Sequence, residues 1–503
     1  MGAATAADTV LSSAASPARV RTGPGGPPAS QCTPAGPPAR LVETHTSVLV
    51  FLGDRVYKTK KPADLGFLDF RTRQAREAAC HAEVDLNRRL APDVYLGVAD
   101  VFGPDGSACD HMVVMRRLPA GRRLSTLVTA GGDVTGELRA VARLLADFHS
   151  RCATSDQIAD AGSATTLRGL WEEGLRGVQP YVGSVLDAGT IEAVGRLAGR
   201  YLDGREPLLR ERQRRGLIRD GHGDLLADDI YCLDDGPRVL DCLEFDQRLR
   251  VGDVLGDIAF LAMDLERLGR SDLAAYFLDR YREYSAETHP RSLEHLYVAY
   301  RAFVRCKVAC ARHEQGDRSA AAQARALASL ALVSLRHGRV RLVLVGGARG
   351  SGRGELAADL AEAEGWTLLR AETTGAGPGQ ATSGVSDAGY SDAGYEELLR
   401  RARIAAERGE TVILDAPWAR RGERERAAAI ARATAADLVQ LRCAHPDHTR
   451  PGTRPAPEPR PGTRSDTGHT DELAGADPWP EARTLRHTTE TDAILRAARR
   501  ATG

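Results

Sequence analysis

The stretch that most constrains this chain is residues 221–246, GHGDLLADDIYCLDDGPRVLDCLEFD, which carries eight acidic side chains. It reads as a loop followed by a short β-hairpin. The apolar residues Val239, Leu240 and Leu243 interrupt the acids and would hold them rigid. Carboxylates packed this densely need solvent or a cation, so the question is what cleft the flanking segments build around them.

Those flanking segments differ in kind. From Ser47, SVLVFLGDRVYKTKKP gives two β-rich runs around the hairpin turn Gly53-Asp54. Lys58 ends the second run and Pro62 stops it. Residues 71–90 have helical periodicity, with Ala79, Ala82, Leu86 and Leu90 on one face and Glu83 within the helix. VYLGVADVF and HMVVMRRLP then read as strands around Gly103-Pro104-Asp105-Gly106. Up to Pro119 the order is β-β-α-β-β, a small and mostly antiparallel lobe. Helical patterns dominate 124–217 and 251–337, so a β lobe precedes a larger helical lobe, with the acidic hairpin near their junction.

At Val340 the texture changes. RLVLVGG runs into a glycine-rich loop, and ELAADLAEAEG is helical. WTLLRAE, TVILDAP and ADLVQLRC are further strands, with EELLRRARIAAERG a helix among them. This alternation predicts a parallel sheet with crossover helices. The resulting organisation is a disordered arm over 1–40, a first domain over 41–338, a second over 339–445 and a mostly disordered tail over 446–503. A short helix closes the chain at Thr491–Arg499. The tandem repeat SDAGYSDAGY (Ser386–Tyr395) reads as a loop.

Composition excludes some classes. Lys plus Arg and Asp plus Glu both number 68, so net charge is zero and neither a nucleic-acid nor a membrane-surface partner is expected. No apolar run reaches membrane-spanning length. Nine scattered cysteines without a CxxC pair fit a reduced, cytoplasmic chain. Cys306, Cys310 and His313 share one helical face and read as a core stripe rather than a metal site. Only four of the 68 basic residues are lysine: Lys58, Lys60, Lys61 and Lys307.

That scarcity matters for the chemistry. Phosphoryl transfer needs a lysine on the phosphates, a carboxylate pinning that lysine, a base for the acceptor hydroxyl and oxygen ligands for magnesium. Lys58 is the strand lysine and Glu83 its partner. Asp224 is the base, Asp229 a metal ligand and Asp241 the second metal ligand. Lys60 and Lys61 are candidates for assisting with phosphates, but they read better as solvated charges at a strand end.

Residues 43–310 resemble the aminoglycoside phosphotransferase-like branch of the protein-kinase-like fold. The family's catalytic loop, H-G-D-x-x-x-x-N, corresponds to His222 through Asp229. The resemblance implies Asp224 as catalytic base, His222 as a structural brace and Asp241, in LDCLE, on magnesium. Gly252-Asp253 resembles the family's downstream aspartate that supports the catalytic loop. VYKTKKP, FLDF, EVDLNRRLAPDVYLGV and FLAMDLERLG look like a bacterial arrangement in which this domain precedes a P-loop domain. The family's asparagine is Asp229 here, a carboxylate oxygen in place of an amide oxygen.

In the second domain Gly347-Ala348-Arg349-Gly350-Ser351-Gly352-Arg353-Gly354 matches G-x-x-x-x-G-K-[ST] except at its last two positions. Arg353 replaces the lysine and Gly354 the magnesium-binding hydroxyl. The loop amides of Gly347, Gly350 and Gly352, with Arg353, remain candidates for binding a nucleotide or anion. The domain resembles small P-loop kinases of the gluconate-kinase type, which implies an acidic role for Glu372 and a Walker B-like Asp415. The arginine-rich lid of such kinases is replaced after Cys443 by Pro/Gly-rich sequence.

The expected fold is therefore α+β protein-kinase-like, a small β lobe plus a helical lobe, followed by an α/β P-loop NTPase-like domain with a parallel sheet. The expected activity is phosphotransfer from ATP, with Mg2+, to a hydroxyl of a small molecule. Two alternatives stay open: a non-catalytic nucleotide-binding or scaffold protein, and a P-loop NTPase with the first domain as sensor.

Overall fold

The structure is a computed structural model describing residues 39–44, 46–63, 69–348, 350–371, 392–444, 476–486 and 491–502. The chain forms two compact units. One comprises residues 1–161 and 216–288, the other 162–215 and 289–503.

The first unit opens with a five-stranded antiparallel sheet. Its strands are β1 (Arg40–Glu43), β2 (Ser47–Leu52), β3 (Arg55–Lys60), β4 (Tyr95–Phe102) and β5 (Ala108–Arg116), in the order β1-β2-β3-β5-β4. β1 precedes the strands expected from the sequence and pairs with β2. Helix α1 (Arg73–Asn87) lies between β3 and β4 in the chain. The Thr72 hydroxyl caps it by accepting the Ala75 amide at 3.2 Å. Cys80 and Val84 of α1 pack on Val56, Tyr95, Val113 and Met115 of the sheet and on Val94 just ahead of β4. This burial places α1 against β3 and β5.

The same unit then supplies the Thr135–Arg151, Val254–Arg267 and Ser271–Ser285 helices. Between them come two small antiparallel pairs. β6 (Ile218–Asp220) pairs with β9 (Val251–Asp253), and β7 (Ile230–Leu233) pairs with β8 (Gly236–Val239). β7 and β8 are the acidic hairpin.

The second unit combines five helices, Ala164–Val178, Ala188–Asp203, Glu206–Arg214, Arg291–Glu314 and Ala320–His337, with a parallel sheet. The helices expected to close the first domain therefore share a compact unit with that sheet. The packing is direct: the Ser292 hydroxyl donates to the Gly409 carbonyl at 2.7 Å, and Arg200 meets Asp437 at 2.7 Å. Cys306 and Cys310 are buried in the Arg291–Glu314 helix.

The parallel strands are β10 (Arg341–Gly346), β11 (Thr367–Arg370), β12 (Val412–Asp415), β13 (Asp437–Ala444) and β14 (Arg483–Arg486), in the order β11-β12-β10-β13-β14. β14 lies within the segment expected to be mostly disordered. Trp479 is buried ahead of it and donates its indole N–H to Gln440 at 2.7 Å. The closing helix, Thr491–Thr502, brings Ile494, Leu495 and Ala498 onto Leu356 and Leu360. A few apolar anchors hold this segment because a core already exists for them to join. The remainder of the tail, 446–475 and 487–490, lies outside the described residues, as does Glu372. The second half of the SDAGY repeat opens the Asp392–Glu407 helix instead of a loop; residues 386–391 lie outside the described residues.

Among the described residues, no helix is long and apolar enough to cross a membrane.

Candidate active site

The loop from His222 to Asp229 is fixed by backbone geometry first. Gly223 sits at φ +91, and a Cβ there would meet Arg250 Cβ and Leu243 Cδ1, each at 2.8 Å. Only glycine fits. The loop's amides then find a carboxylate. The His222 N–H donates to Asp257 Oδ2 at 2.6 Å and the Gly223 N–H to Asp257 Oδ1 at 2.8 Å. One helical stretch later, Asp264 Oδ2 accepts the Ala227 N–H at 3.0 Å.

Asp257 and Asp264 were not among the expected site residues. Asp253, expected to support the loop, caps the Val254–Arg267 helix by accepting the Leu255 amide at 2.9 Å. The physical reason is reach: the two buried aspartates seven apart lie on one face of that helix, beneath the loop. Their sequence signal was available. VLGDIAFLAMDLER is otherwise almost wholly apolar, and acids in such a helix require partners.

His222 is buried and braces the loop. Its Nε2–H donates to the Leu240 carbonyl at 3.0 Å, so Nδ1 is the unprotonated nitrogen and faces the Asp224 amide at 3.4 Å. Burial holds its pKa below the usual histidine value, against the pull of Asp257 and Asp224. The ring thus ties the loop to the end of β8.

Beyond β8 the chain turns through Asp241, which adopts a left-handed backbone at φ 63. Its amide meets Tyr95 Oη at 3.2 Å, and the next amide, of Cys242, donates to Asn87 Oδ1 at 2.9 Å. This turn delivers the Asp241 carboxylate to the sheet. Lys58 Nζ on β3 donates to Asp241 Oδ1 and to Glu83 Oε1, both at 2.8 Å. Burial works against the Lys58 charge, but Asp241 and Glu83 outweigh it and raise its pKa well above the ordinary value. Glu83 is wholly buried. Lys58 and Lys60 overcome its burial and lower its pKa.

Lys60 corrects an expectation. It is 2 % exposed rather than solvated, with Nζ 2.6 Å from Glu83 Oε2 and paired also with Glu244. The next position, Lys61, pairs with Glu43 at 2.6 Å.

Asp229 is buried beside the charges of Asp241, Asp224 and Asp228. Burial first, then those three neighbours, push its carboxyl well above the usual carboxylate range. Its Oδ2 has no hydrogen-bond partner among the described residues. An orphaned buried oxygen among like charges is what a divalent cation would satisfy. The described residues hold no group of three or more His, Cys, Asp or Glu poised as a metal cage. Magnesium is typically held by one or two carboxylates plus phosphate, so Asp229 and Asp241 fit it.

The P-loop residues Gly347, Gly350, Gly352 and Arg353 form a separate locus in the second unit. Gly352 caps the Arg353–Glu364 helix at φ +77. Arg353 folds back into its own loop: Nε donates to Asp415 Oδ1 at 2.6 Å and Nη1 to the Gly347 carbonyl at 2.8 Å. Arg370 Nε donates to Asp415 Oδ2 at 3.3 Å. The carboxylate that resembles a Walker B aspartate is thus engaged by two guanidinium groups.

Residues 53–296 match the model of the Phosphotransferase enzyme family, and residues 342–451 match that of the AAA domain. Uncharacterized proteins of Mycobacterium tuberculosis (strain H37Rv) and Mycobacterium bovis are 42% identical over 412 residues, covering 80% of this chain and 82% of theirs. The chain belongs to their family. It carries a phosphotransferase-family domain followed by an AAA domain, and the first is kinase-like in fold. Solved structures similar to the phosphotransferase domain include a choline/ethanolamine kinase family protein from Mesorhizobium loti, 15% identical, covering 61% of this chain and 96% of that one, with a TM-score of 0.38. A GDP complex of wild-type aminoglycoside 2'-phosphotransferase-IIIa is 14% identical and covers 60% and 94%, also with a TM-score of 0.38.

Proposed function

We propose that the chain transfers a phosphoryl group from ATP, with Mg2+, to a hydroxyl group of a small molecule, and that the chemistry belongs to the phosphotransferase domain. One observation carries the reading: Lys58 lies 2.8 Å from both Glu83 and Asp241, within the unit whose braced loop bears Asp224 and Asp229. In this reading Glu83 orients Lys58 toward the nucleotide phosphates. Asp224 takes the proton of the acceptor hydroxyl as its oxygen bonds to the γ-phosphorus; the bond to the bridging oxygen breaks and ADP leaves. Asp229 and Asp241 would hold magnesium, which supplies charge neutralisation at the phosphates. Held in place by Asp257 and Asp264, the loop gives Asp224 a fixed position, which is where most of the catalytic gain of such sites arises.

The AAA domain has a different standing in this proposal. Arg353 and Arg370 occupy Asp415, and Gly354 offers no hydroxyl, so its loop is read as a packed structural feature. The test is Mg2+-dependent ATP turnover against a panel of hydroxyl compounds, for wild type, Asp224→Ala and Arg353→Ala. Asp224→Ala is expected to abolish turnover. The reading fails if Asp224→Ala changes nothing while Arg353→Ala abolishes turnover. Wild-type chain that binds ATP without turning it over would favour the non-catalytic alternative.

A further inference from the structure

Lys60 is two residues beyond Lys58 on β3, so both side chains leave the same face of the strand. Lys58 reaches the site, but Lys60 does not. It is 2 % exposed, and its Nζ is enclosed by Glu83 Oε2 at 2.6 Å, by Glu244, and by the Phe70 ring with its centroid at 5.7 Å. A group so enclosed has no access to a nucleotide. Its effect on the site must pass through its partners.

Those partners are telling. Glu83 divides its carboxylate, giving Oε1 to Lys58 and Oε2 to Lys60. Each of its oxygens thus faces a lysine ammonium, and its single charge is shared between two cations. Glu244 lies three residues after Asp241, on the same connecting segment. That segment has to hold Asp241 at φ 63, a left-handed conformation that strains a non-glycine residue and persists only where its surroundings impose it. Tyr95 and Asn87 hold the segment's amides near Asp241, and Phe245 packs on Phe70 and Ala79. Lys60 adds a further tie, from Glu244 back to β3 and α1.

We propose that Lys60 is a positioning residue for the phosphotransfer site: by bridging Glu83 and Glu244 it fixes the Lys58–Glu83 pair and the Asp241 turn in one arrangement. The inference rests on the proposed ATP- and magnesium-dependent reading of that site. Lys60 acts on both halves of the nucleotide complex, the phosphate-facing lysine and the metal-facing aspartate. Its removal leaves two carboxylates with one fewer cation and loosens the Asp241 turn, so the property it controls is the gain in ATP affinity that Mg2+ provides.

The test is equilibrium binding of ATP to the full chain with and without Mg2+, in wild type, Lys58→Met, Lys60→Met, and the charge-balanced Lys60→Met/Glu244→Gln, with thermal melts of each. Lys60→Met and the double variant are expected to reduce the Mg2+-dependent gain by about 10- to 100-fold, the range for outer residues that orient metal ligands. Binding without Mg2+ should stay at the wild-type level. A merely structural role would lower both arms together, and that result overturns the proposal. A gain that persists in Lys60→Met, or in the double variant if the single one does not fold, overturns it too. If wild type shows no gain, or Lys58→Met keeps it, the proposed function itself falls; if Lys58→Met loses the gain and Lys60→Met keeps it, only the role of Lys60 falls.

Discussion

At the residue scale the decisive position is Asp229, where the resembled family has asparagine. A carboxyl buried among Asp224, Asp228 and Asp241 is held well above its ordinary pKa, first by burial and then by those neighbours. An amide has nearly the same shape and carries no charge. Asp229→Asn is therefore expected to raise the melting temperature of the ligand-free chain at pH 7, by a stability gain of about 1 kcal/mol. Thermal melts of the two proteins check this, and a lower melting temperature for the variant would contradict it. Thiol chemistry is muted at this site: burial pushes the Cys242 thiol up to about 12, which keeps it protonated beside the Asp241 turn.

At the element scale the Val254–Arg267 helix acts as the anvil for the catalytic loop. Asp257 takes two loop amides and Asp264 a third, while Asp253 caps the helix start. The two roles separate by mutation. Removing an N-cap costs about 1 kcal/mol, whereas removing an acceptor of two buried amides costs roughly 3 kcal/mol or more and releases the loop. Asp253→Ala should lower the melting point modestly and leave turnover largely intact. Asp257→Ala should abolish turnover. Equal turnover losses in the two variants would refute the division of labour.

At the scale of the whole molecule, stability should depend on pH through a histidine of the second unit, outside the one that holds the proposed site. His295 on the Arg291–Glu314 helix faces the His337 ring, with centroids 5.6 Å apart. Burial first, then His337 and Arg291 against the opposing pull of Glu294, hold its pKa down at about 4. The folded value lies below the unfolded one, so the unfolded chain binds the extra proton between about 6.5 and 4. The stabilisation is complete above about pH 6.5 and is lost as pH falls toward 4. Its full size is on the order of 3 kcal/mol. His295→Leu should flatten the fall in melting temperature between pH 7 and pH 5; an unchanged slope would assign acid sensitivity elsewhere.

The sequence by itself determined the local order: β-β-α-β-β, the acidic hairpin and the strand–glycine loop–helix at 340, and it singled out Lys58, Glu83 and Asp241, which pair in the fold. These are legible because strand and helix periods, glycine turns and scarce lysines act over a few residues. Tertiary structure alone decided what depends on distant partners. Lys60 looks like a solvated strand-end charge until Glu83 and Glu244 close over it. Asp257 and Asp264 reach the loop because of how one helix face is presented. Residues 476–486 look too polar for a core, and they fold because β13 offers them one, while the closing helix expected from the sequence finds its packing partner in the Arg353–Glu364 helix. Periodicity records which face is apolar; it does not record which buried charge will meet which, and at this site that pairing fixes the geometry.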